Sequence, residues 1–417
     1  MKVTVEKVDD INYIISGTVD NSVIESKVAE YKEKAAKEKK DEDASDEKVE
    51  QQAAGQVFNE FIDAGIKEAK LDVKNILGQP GLKKYEQLEN SVYFEVELST
   101  SPEINVEIDY MAVIPSFTKP KADPEAVEKK LAEFAQQQAP YKKIENPRPA
   151  QDGDVVVIDF KGYIDDEPFE GGSAENFKLK IGSQSFIAGF EEQLIGMEYG
   201  EERTITVTFP KEYQAKDLAG KESKFVVKLH EIQEQKAETP DDAFAQKILG
   251  DQNATLKTLK EKFSDQVIAE ELSQIYVRDL KPKIIEGLLA IFDFTLPNNI
   301  VEQEIDAMVR AKTARFTEEE HKQYIEDKEK FQKLRESFKE EARDTIKAAL
   351  ITEAIAKKEG VNVDEQEAIS ALSYQAMMAG QDAHELVNYY KENNLMQSAI
   401  LGLTQDKLFG QLLGFDK

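Results

Sequence analysis

Residues 169–201 read FEGGSAENFKLKIGSQSFIAGFEEQLIGMEYGE. Four phenylalanines, at 169, 177, 186 and 190, stand among glycines that interrupt the stretch too often for one helix. Two readings fit the pattern. The rings fill the interior of a small β-domain, or some of them wall a cavity that another molecule enters.

The flanks define a β-rich domain over residues 150–235. DVVVIDFKGYI (154–164), ERTITVTF (202–209) and SKFVVKLHEI (223–232) alternate or run apolar over strand lengths, and GFEEQLIGM (189–197) supplies a short helix. Ahead of it, residues 1–110 predict an α+β unit. Val3 and Val5 alternate before an Asp9-Asp10 turn, and Ile11, Tyr13 and Ile15 after it, as in a hairpin. Two helices follow, with Ile24, Val28, Tyr31 and Ala35 on one face of the first and Ala54, Phe58, Phe61 and Ile62 on the second. Val92, Phe94, Val96 and Leu98 then share a strand face. Residues 111–149, with prolines at 115, 120, 124, 140, 147 and 149, read as a connector carrying one helix over 124–138. Residues 236–417 predict an all-α domain, with helices near 253–291, 318–358, 363–379 and 382–413. Another begins at LPNNIVEQEIDAMVRA, where Asn298 or Asn299 is expected to cap and Val301, Ile305 and Met308 form a stripe. The fold class is therefore α+β and multidomain.

Composition narrows the function. The chain has 417 residues, 82 acidic and 54 basic, for a formal charge of −28, so phosphate backbones and anionic lipid repel the molecule as a whole. Nucleic-acid and membrane partners are not expected. Cysteine is absent, which excludes disulfides and thiolate chemistry. MKVTVEKVDD lacks the apolar core of a secretory signal, and the expected location is cytoplasmic. His230, His321 and His384 stand in no metal-ligand spacing, and neither a G-x-S-x-G elbow nor a phosphate-binding loop occurs. No metal or cofactor is expected.

A reaction that needs neither nucleophile nor metal is rotation of an X-Pro amide, whose barrier of about 20 kcal/mol is loss of C–N resonance. VVVIDFKGYIDDEPFEGG, FKLKIGSQSFIAGFEEQLIGMEYGE and VTFPKEYQAKDLAGKESKFVVKLHEI resemble an FKBP-type peptidyl-prolyl isomerase, with strand, flap, helix and closing strand in the same order. With an α+β unit before it and helices after it, the whole chain resembles the trigger factor family. VYFEVELSTSPEINV and LPNNIVEQEIDAMV resemble stretches of that family as well. The resemblance implies a chaperone for nascent or unfolded chains containing X-Pro bonds, a role in folding and export, and a connector that packs with the C-terminal domain. It implies a pocket of Phe160, Phe169, Glu170, Phe177, Phe186, Ile187, Phe190, Tyr213 and Phe225. Phe186 and Ile187 would contact the prolyl ligand, Ile187 through its backbone N–H, with Phe190 at the floor. For Phe160 and Phe225, on alternating strands, core and pocket fit the pattern equally.

The family's ribosome-docking loop, GFRxGKxP, has no counterpart here. Its place reads KEKKDEDASDEKVEQ, without Gly, Phe, Arg or Pro, so ribosome attachment is expected to be weak. Lys34, Lys37, Lys39 and Lys40 form a basic cluster that suits an exposed helix face. In the helical region Met308, Phe316, Met377, Met378 and Met396 are candidates for a client-binding cradle, or ordinary helix core. The competing reading of the whole is a non-catalytic interaction protein carrying an inactive FKBP module.

Overall fold

The computed structural model describes residues 1–38, 46–213, 215–235 and 239–415. Two compact units emerge, one of residues 1–117 with 276–417, the other of residues 118–275.

In the first unit β1 (Lys2–Lys7) and β2 (Asn12–Asp20) form the expected hairpin. The Asp9 carboxylate accepts from the Ile11 and Asn12 N–H groups at 3.0 and 2.9 Å and so closes the turn. Helices α1 (Asn21–Glu38) and α2 (Asp46–Glu68) follow, then β3 (Ile76–Gln87) and β4 (Ser91–Thr100), giving an antiparallel sheet in the order β1-β2-β4-β3. The alternation of β4 buries Val92, Phe94, Val96 and Leu98 with Ile15 of β2, against Val57, Phe61 and Ile62 of α2. Strand β3 escapes the sequence pattern, since Gly78, Pro80 and Gly81 interrupt it and its pairing shifts register there.

The second unit begins with α3 (Pro124–Gln138), capped by Asp123, and β5 (Tyr141–Lys143). Strands β6 (Val155–Ile164) and β7 (Glu167–Lys180), helix α4 (Phe190–Leu194), and strands β8 (Glu202–Thr208) and β9 (Glu222–Gln235) build the FKBP-like domain. Its sheet runs β5-β9-β6-β7, with β8 also on β9, antiparallel throughout. Val156, Ile158, Leu179, Leu194, Met197, Ile205, Val227 and Leu229 form its core. Arg148 locks the entry to the sheet, donating to both Asp154 oxygens at 2.6 and 2.9 Å and to Glu234 at 3.2 Å. Helices α5 (Asp242–Leu249) and α6 (Leu256–Ile275) complete the unit. The Phe134 ring of α3 sits 6.4 Å from Phe244 and 5.5 Å from Phe263 on these helices.

A π-turn over Tyr276–Leu280 opens the helical part of the first unit, so the helix expected over 253–291 is broken. Then come α7 (Lys281–Ile291), α8 (Asn298–Thr313), α9 (Glu318–Glu326), α10 (Lys328–Ser337), α11 (Lys339–Glu359), α12 (Glu365–Met378), α13 (Ala383–Glu392) and α14 (Met396–Leu413). One helix was expected over 318–358. Asp327 ends α9 and caps α10 by accepting from the Lys330 N–H at 3.0 Å, dividing it. Ile284, Leu288, Ile351, Ile355, Leu408 and Phe409 form the core between α7, α11 and α14.

Neither Asn298 nor Asn299 caps α8. Pro297 holds the N-cap position without a side-chain bond, and both asparagines reach the N-terminal sheet instead. Asn299 donates to the Leu77 and Gln79 carbonyls at 2.9 and 3.0 Å, and Asn298 to Glu97 at 3.4 Å. From the sheet side, buried Asn12 donates to the Leu296 carbonyl at 3.0 Å and accepts from the Asn298 N–H and the Ser99 hydroxyl at 2.9 and 2.5 Å. This polar latch joins residues nearly three hundred apart in the chain. Substituting Asn12→Ala leaves several buried groups unpaired and is expected to destabilise the first unit by about 3 kcal/mol, at about 1–3 kcal/mol per orphaned group. Urea unfolding followed by circular dichroism checks it against exposed Asp10→Ala, and equal midpoints for the two variants contradict the latch.

Candidate active site

The ring system of the FKBP-like domain is set by strand alternation. Phe160 follows Val156 and Ile158 on the buried face of β6, and Phe225 precedes Val227 and Leu229 on β9. Their rings lie 6.0 Å apart. Both are buried, and both line one cavity of about 510 Å³, so for these two residues core and pocket coincide. Phe169, Glu170, Phe186, Ile187 and Tyr213 line it too.

Phe169 occupies a slot that only glycine leaves open. A Cβ on Gly162 would sit 2.7 Å from its Cε1 atom, and one on Gly172 would sit 2.7 Å from its Cε2 atom. The ring stands edge-on to Phe225 at 5.9 Å and to Phe209 at 5.8 Å. Phe209 and Leu218 were not singled out in the sequence, yet both belong to the wall. The signal was present in ERTITVTF, where Ile205, Val207 and Phe209 alternate and are all buried. Tyr213 packs on Phe209 at 4.8 Å and stays exposed, as does Glu170 at the rim.

Two expected pocket residues stand apart from the wall. Phe190 is fully buried one layer deeper, 4.3 Å from Phe186 and 5.3 Å from Phe225, so it supports the lining rings rather than forming the surface. Gly189, with φ of 86°, makes the turn that starts α4 and drops Phe190 into the core. Phe177 keeps 38% of its surface exposed and touches Phe160 at 5.8 Å and Phe186 at 5.6 Å from outside the cavity.

The segment 183–187 is held by a carboxylate that nothing in the amino-acid pattern distinguishes from the many other acids. Buried Glu191 accepts from the Ser185 and Phe186 N–H groups at 2.9 and 3.1 Å, from the Ser183 hydroxyl at 3.1 Å and from the Gln184 N–H at 3.0 Å. Burial pushes its pKa up, but the N–H groups of Gln184 and Phe186, the Ser183 hydroxyl and the Ser185 N–H outweigh that and hold it below the ordinary value of 4.5. The Ile187 carbonyl accepts from the Phe190 N–H at 3.0 Å. Among the described residues no group accepts from the Ile187 N–H.

The client-binding candidates do not gather. Met396 is buried among α12, α13 and α14, because its position at the first turn of α14 faces Leu372 and Val387, and it is core rather than surface. Met308 is half-buried against the core of α8 and α11. Phe316 stacks on Tyr324 at 5.0 Å. Met377 and Met378 are 64% and 68% exposed at the end of α12, close to exposed Tyr374.

An antiparallel sheet, one short helix and an aromatic hollow between them define an FKBP-type isomerase module. A family model of FKBP-type peptidyl-prolyl cis-trans isomerase matches residues 146–230, and one of the bacterial trigger factor C-terminus matches residues 255–413. Trigger factor of Sulfurovum sp. (strain NBC37-1) is 50% identical over 99% of this chain and 100% of its own length. Trigger factor of Aliarcobacter butzleri (strain RM4018) is 36% identical over 99% of each chain. A solved structure from work on promiscuous substrate recognition by the trigger factor chaperone shares the fold, with a TM-score of 0.51 and 17% identity over 99% of each chain. The chain belongs to the trigger factor family, and it is a chaperone with FKBP-type peptidyl-prolyl isomerase activity.

The Glu191 shift fixes a pH response. Because folding lowers this pKa, the carboxylate's contribution is complete above the ordinary value of 4.5 and is lost as the pH falls through the lower, folded value. Glu191→Gln is expected to lower stability near neutral pH by about 1.5–3 kcal/mol, the range for hydrogen bonds to a charged group. Denaturant midpoints of both proteins across the acid range measure the gap. It should close in acid, and a gap independent of pH contradicts this role for the carboxylate.

Proposed function

We propose that the cavity lined by β6, β7, β9, the Ser185–Ala188 segment ahead of α4, and Phe209 and Leu218 after β8 is the prolyl site. The observation that carries this reading is an apolar hollow walled by Phe160, Phe169, Phe186 and Phe225 and bordered at Ile187 by an N–H for which no acceptor stands among the described residues. A planar X-Pro amide keeps charge on its carbonyl oxygen through resonance, and twisting the bond removes that charge. A dry aromatic wall therefore disfavours the planar form relative to the twisted one, which is the difference catalysis requires. The Ile187 N–H donates to the neighbouring carbonyl, that of proline itself rather than of the rotating amide, and holds the peptide in register. Phe190 and Phe177 act by supporting Phe186 and Phe160. Glu170 and Tyr213 border the mouth, where the residues flanking proline pass.

Client binding is shared with the helical region, where exposed Met377 and Met378 offer adaptable apolar surface. The working location is the cytoplasm, and nascent or unfolded chains are the partners. No helix among the described residues is long and apolar enough to cross a membrane.

Phe186→Ala and Phe190→Ala are expected to slow isomerisation of a proline-containing peptide at least tenfold, about 1.4 kcal/mol of transition-state stabilisation. Suppression of client aggregation, assayed in parallel, should be mostly kept. Unchanged isomerase rates in both variants would show that the reaction occurs elsewhere.

Ribosome attachment is proposed to be weak, because the docking motif is absent and the acids at 41–43, 46 and 47 repel a phosphate-rich surface. Residues 39–45 of that segment, with Lys39 and Lys40, lie outside the described residues, as do the side chains of Lys34 and Lys37. Co-sedimentation with ribosomes in low salt should give substoichiometric recovery. Stoichiometric binding that is lost on deleting residues 37–50 overturns the proposal.

A further inference from the structure

Between Gly182 and Gly189 the chain turns tightly and presents Phe186 and Ile187 to the cavity. Such a turn is unfavourable by itself. Gln184 has φ of 55°, a left-handed conformation that disfavours side chains other than glycine. Three successive N–H groups, of Gln184, Ser185 and Phe186, converge on one side of the segment, forming the kind of concavity that binds an anion. The chain fills it with its own carboxylate, from the second residue of α4.

We infer that Glu191 is a positioning residue of the isomerase, which fixes the 183–187 segment so that Phe186 and Ile187 meet the prolyl substrate in a single arrangement. The inference rests on the assignment of the cavity as the prolyl site. Its geometric basis is a clamp on both sides of Ile187. On the N-terminal side the Phe186 N–H is held by Glu191 Oε1 at 3.1 Å. On the C-terminal side the Ile187 carbonyl is held by the Phe190 N–H at 3.0 Å. Both anchors come from the first turn of α4, adjacent in sequence, and the helix is itself tied to β8. Gln193 donates to the Gly189 and Thr206 carbonyls at 2.7 and 2.9 Å. Arg203 of β8 donates to the carbonyls of Gln193, Ile195 and Gly196 at 2.9, 3.2 and 3.2 Å, satisfying the end of the helix. With the N–H groups of Gln184, Ser185 and Phe186 committed to the carboxylate, that of Ile187 is left over for the ligand. A group whose position must be right to a few tenths of an ångström is best held by neighbours that cannot rearrange.

The two oxygens of Glu191 have different duties, and this makes the inference testable. Oε1 accepts from Ser183, Ser185 and Phe186, while Oε2 accepts from Gln184. Glu191→Gln can keep an oxygen at the Oε1 position and lose the bond to Gln184, whereas Glu191→Ala loses them all. In the full chain, at a temperature where circular dichroism shows each variant folded, the expected kcat/KM on an X-Pro peptide falls about threefold for Gln and at least tenfold for Ala. The loss should lie mainly in kcat, since the cavity walls that bind the peptide remain. Amide exchange at Gln184, Ser185 and Phe186 should quicken in the same order. A carboxylate serving stability alone would lower the melting temperature of both variants and leave kcat at the wild-type value, and that result overturns the inference. Should the Ala variant fail to fold, the Gln variant decides it through kcat and the exchange rates. Phe186→Ala separates the two levels of the argument. If it leaves the rate unchanged, the cavity assignment fails. If it slows the reaction while both Glu191 variants match wild type, only the role of Glu191 falls.

Discussion

Edge-to-face packing of phenylalanine rings keeps a hollow open in the heart of the FKBP-like domain. Such rings attract through their quadrupoles at about 0.5–1.5 kcal/mol per pair beyond area burial, and they hold fixed angles that aliphatic side chains do not. Here Phe160 stands edge-on to Phe177, Phe186, Phe190 and Phe225 at once, at 5.8, 5.4, 6.0 and 6.0 Å. Ordinary core packing would close a cavity of this size, because each missing contact is unfavourable. The hollow persists because every lining ring is supported from behind. Phe190 backs Phe186, the paired glycines at 162 and 172 confine Phe169, and β-sheet alternation fixes Phe160 and Phe225. In the proposed reading, isomerisation rests on this arrangement, since a rigid apolar surface distinguishes a planar amide from a twisted one.

Polar groups do the complementary work of fixing positions. Glu191 organises a strained loop, Arg203 satisfies the end of α4, and the latch of Asn12, Asn298 and Asn299 joins the N-terminal sheet to helix α8. Each is buried or half-buried and multiply hydrogen-bonded, the condition under which a polar group specifies one arrangement instead of weakening the fold. The many surface acids have another effect. A charge of −28 disfavours approach to anionic surfaces.

Legibility of the fold divided along the range of the interactions. Local patterns were readable: the hairpin around Asp9, the alternation at Val92 to Leu98 and the stripe at Val301 and Ile305 all appear where expected. Strand β3 was not, because its glycines and proline mask the alternation and only its partner β4 makes it a strand. The breaks at Asp327 and Phe338 carry neither Gly nor Pro, so three helices read as one. Asn298 and Asn299 looked like caps since their true partners, Leu77, Gln79 and Glu97, are more than two hundred residues away. At the candidate site, the resemblance named rings of which Phe160, Phe169, Phe186 and Phe225 line one cavity, but depth was invisible: Phe190 lies beneath the wall and Phe177 outside it. Among the methionines, spacing alone did not separate buried Met396 from exposed Met377 and Met378.

The central claim is that proline enters the aromatic hollow and turns there. Isotope-edited NMR of the full chain with a labelled X-Pro peptide tests it directly. The account predicts contacts between the prolyl ring protons and the rings of Phe160, Phe186 and Phe225, a shift of the Ile187 amide on binding, and cis–trans exchange peaks from the bound peptide. Exchange that proceeds at the uncatalysed rate, or prolyl contacts confined to residues outside this cavity, would contradict it.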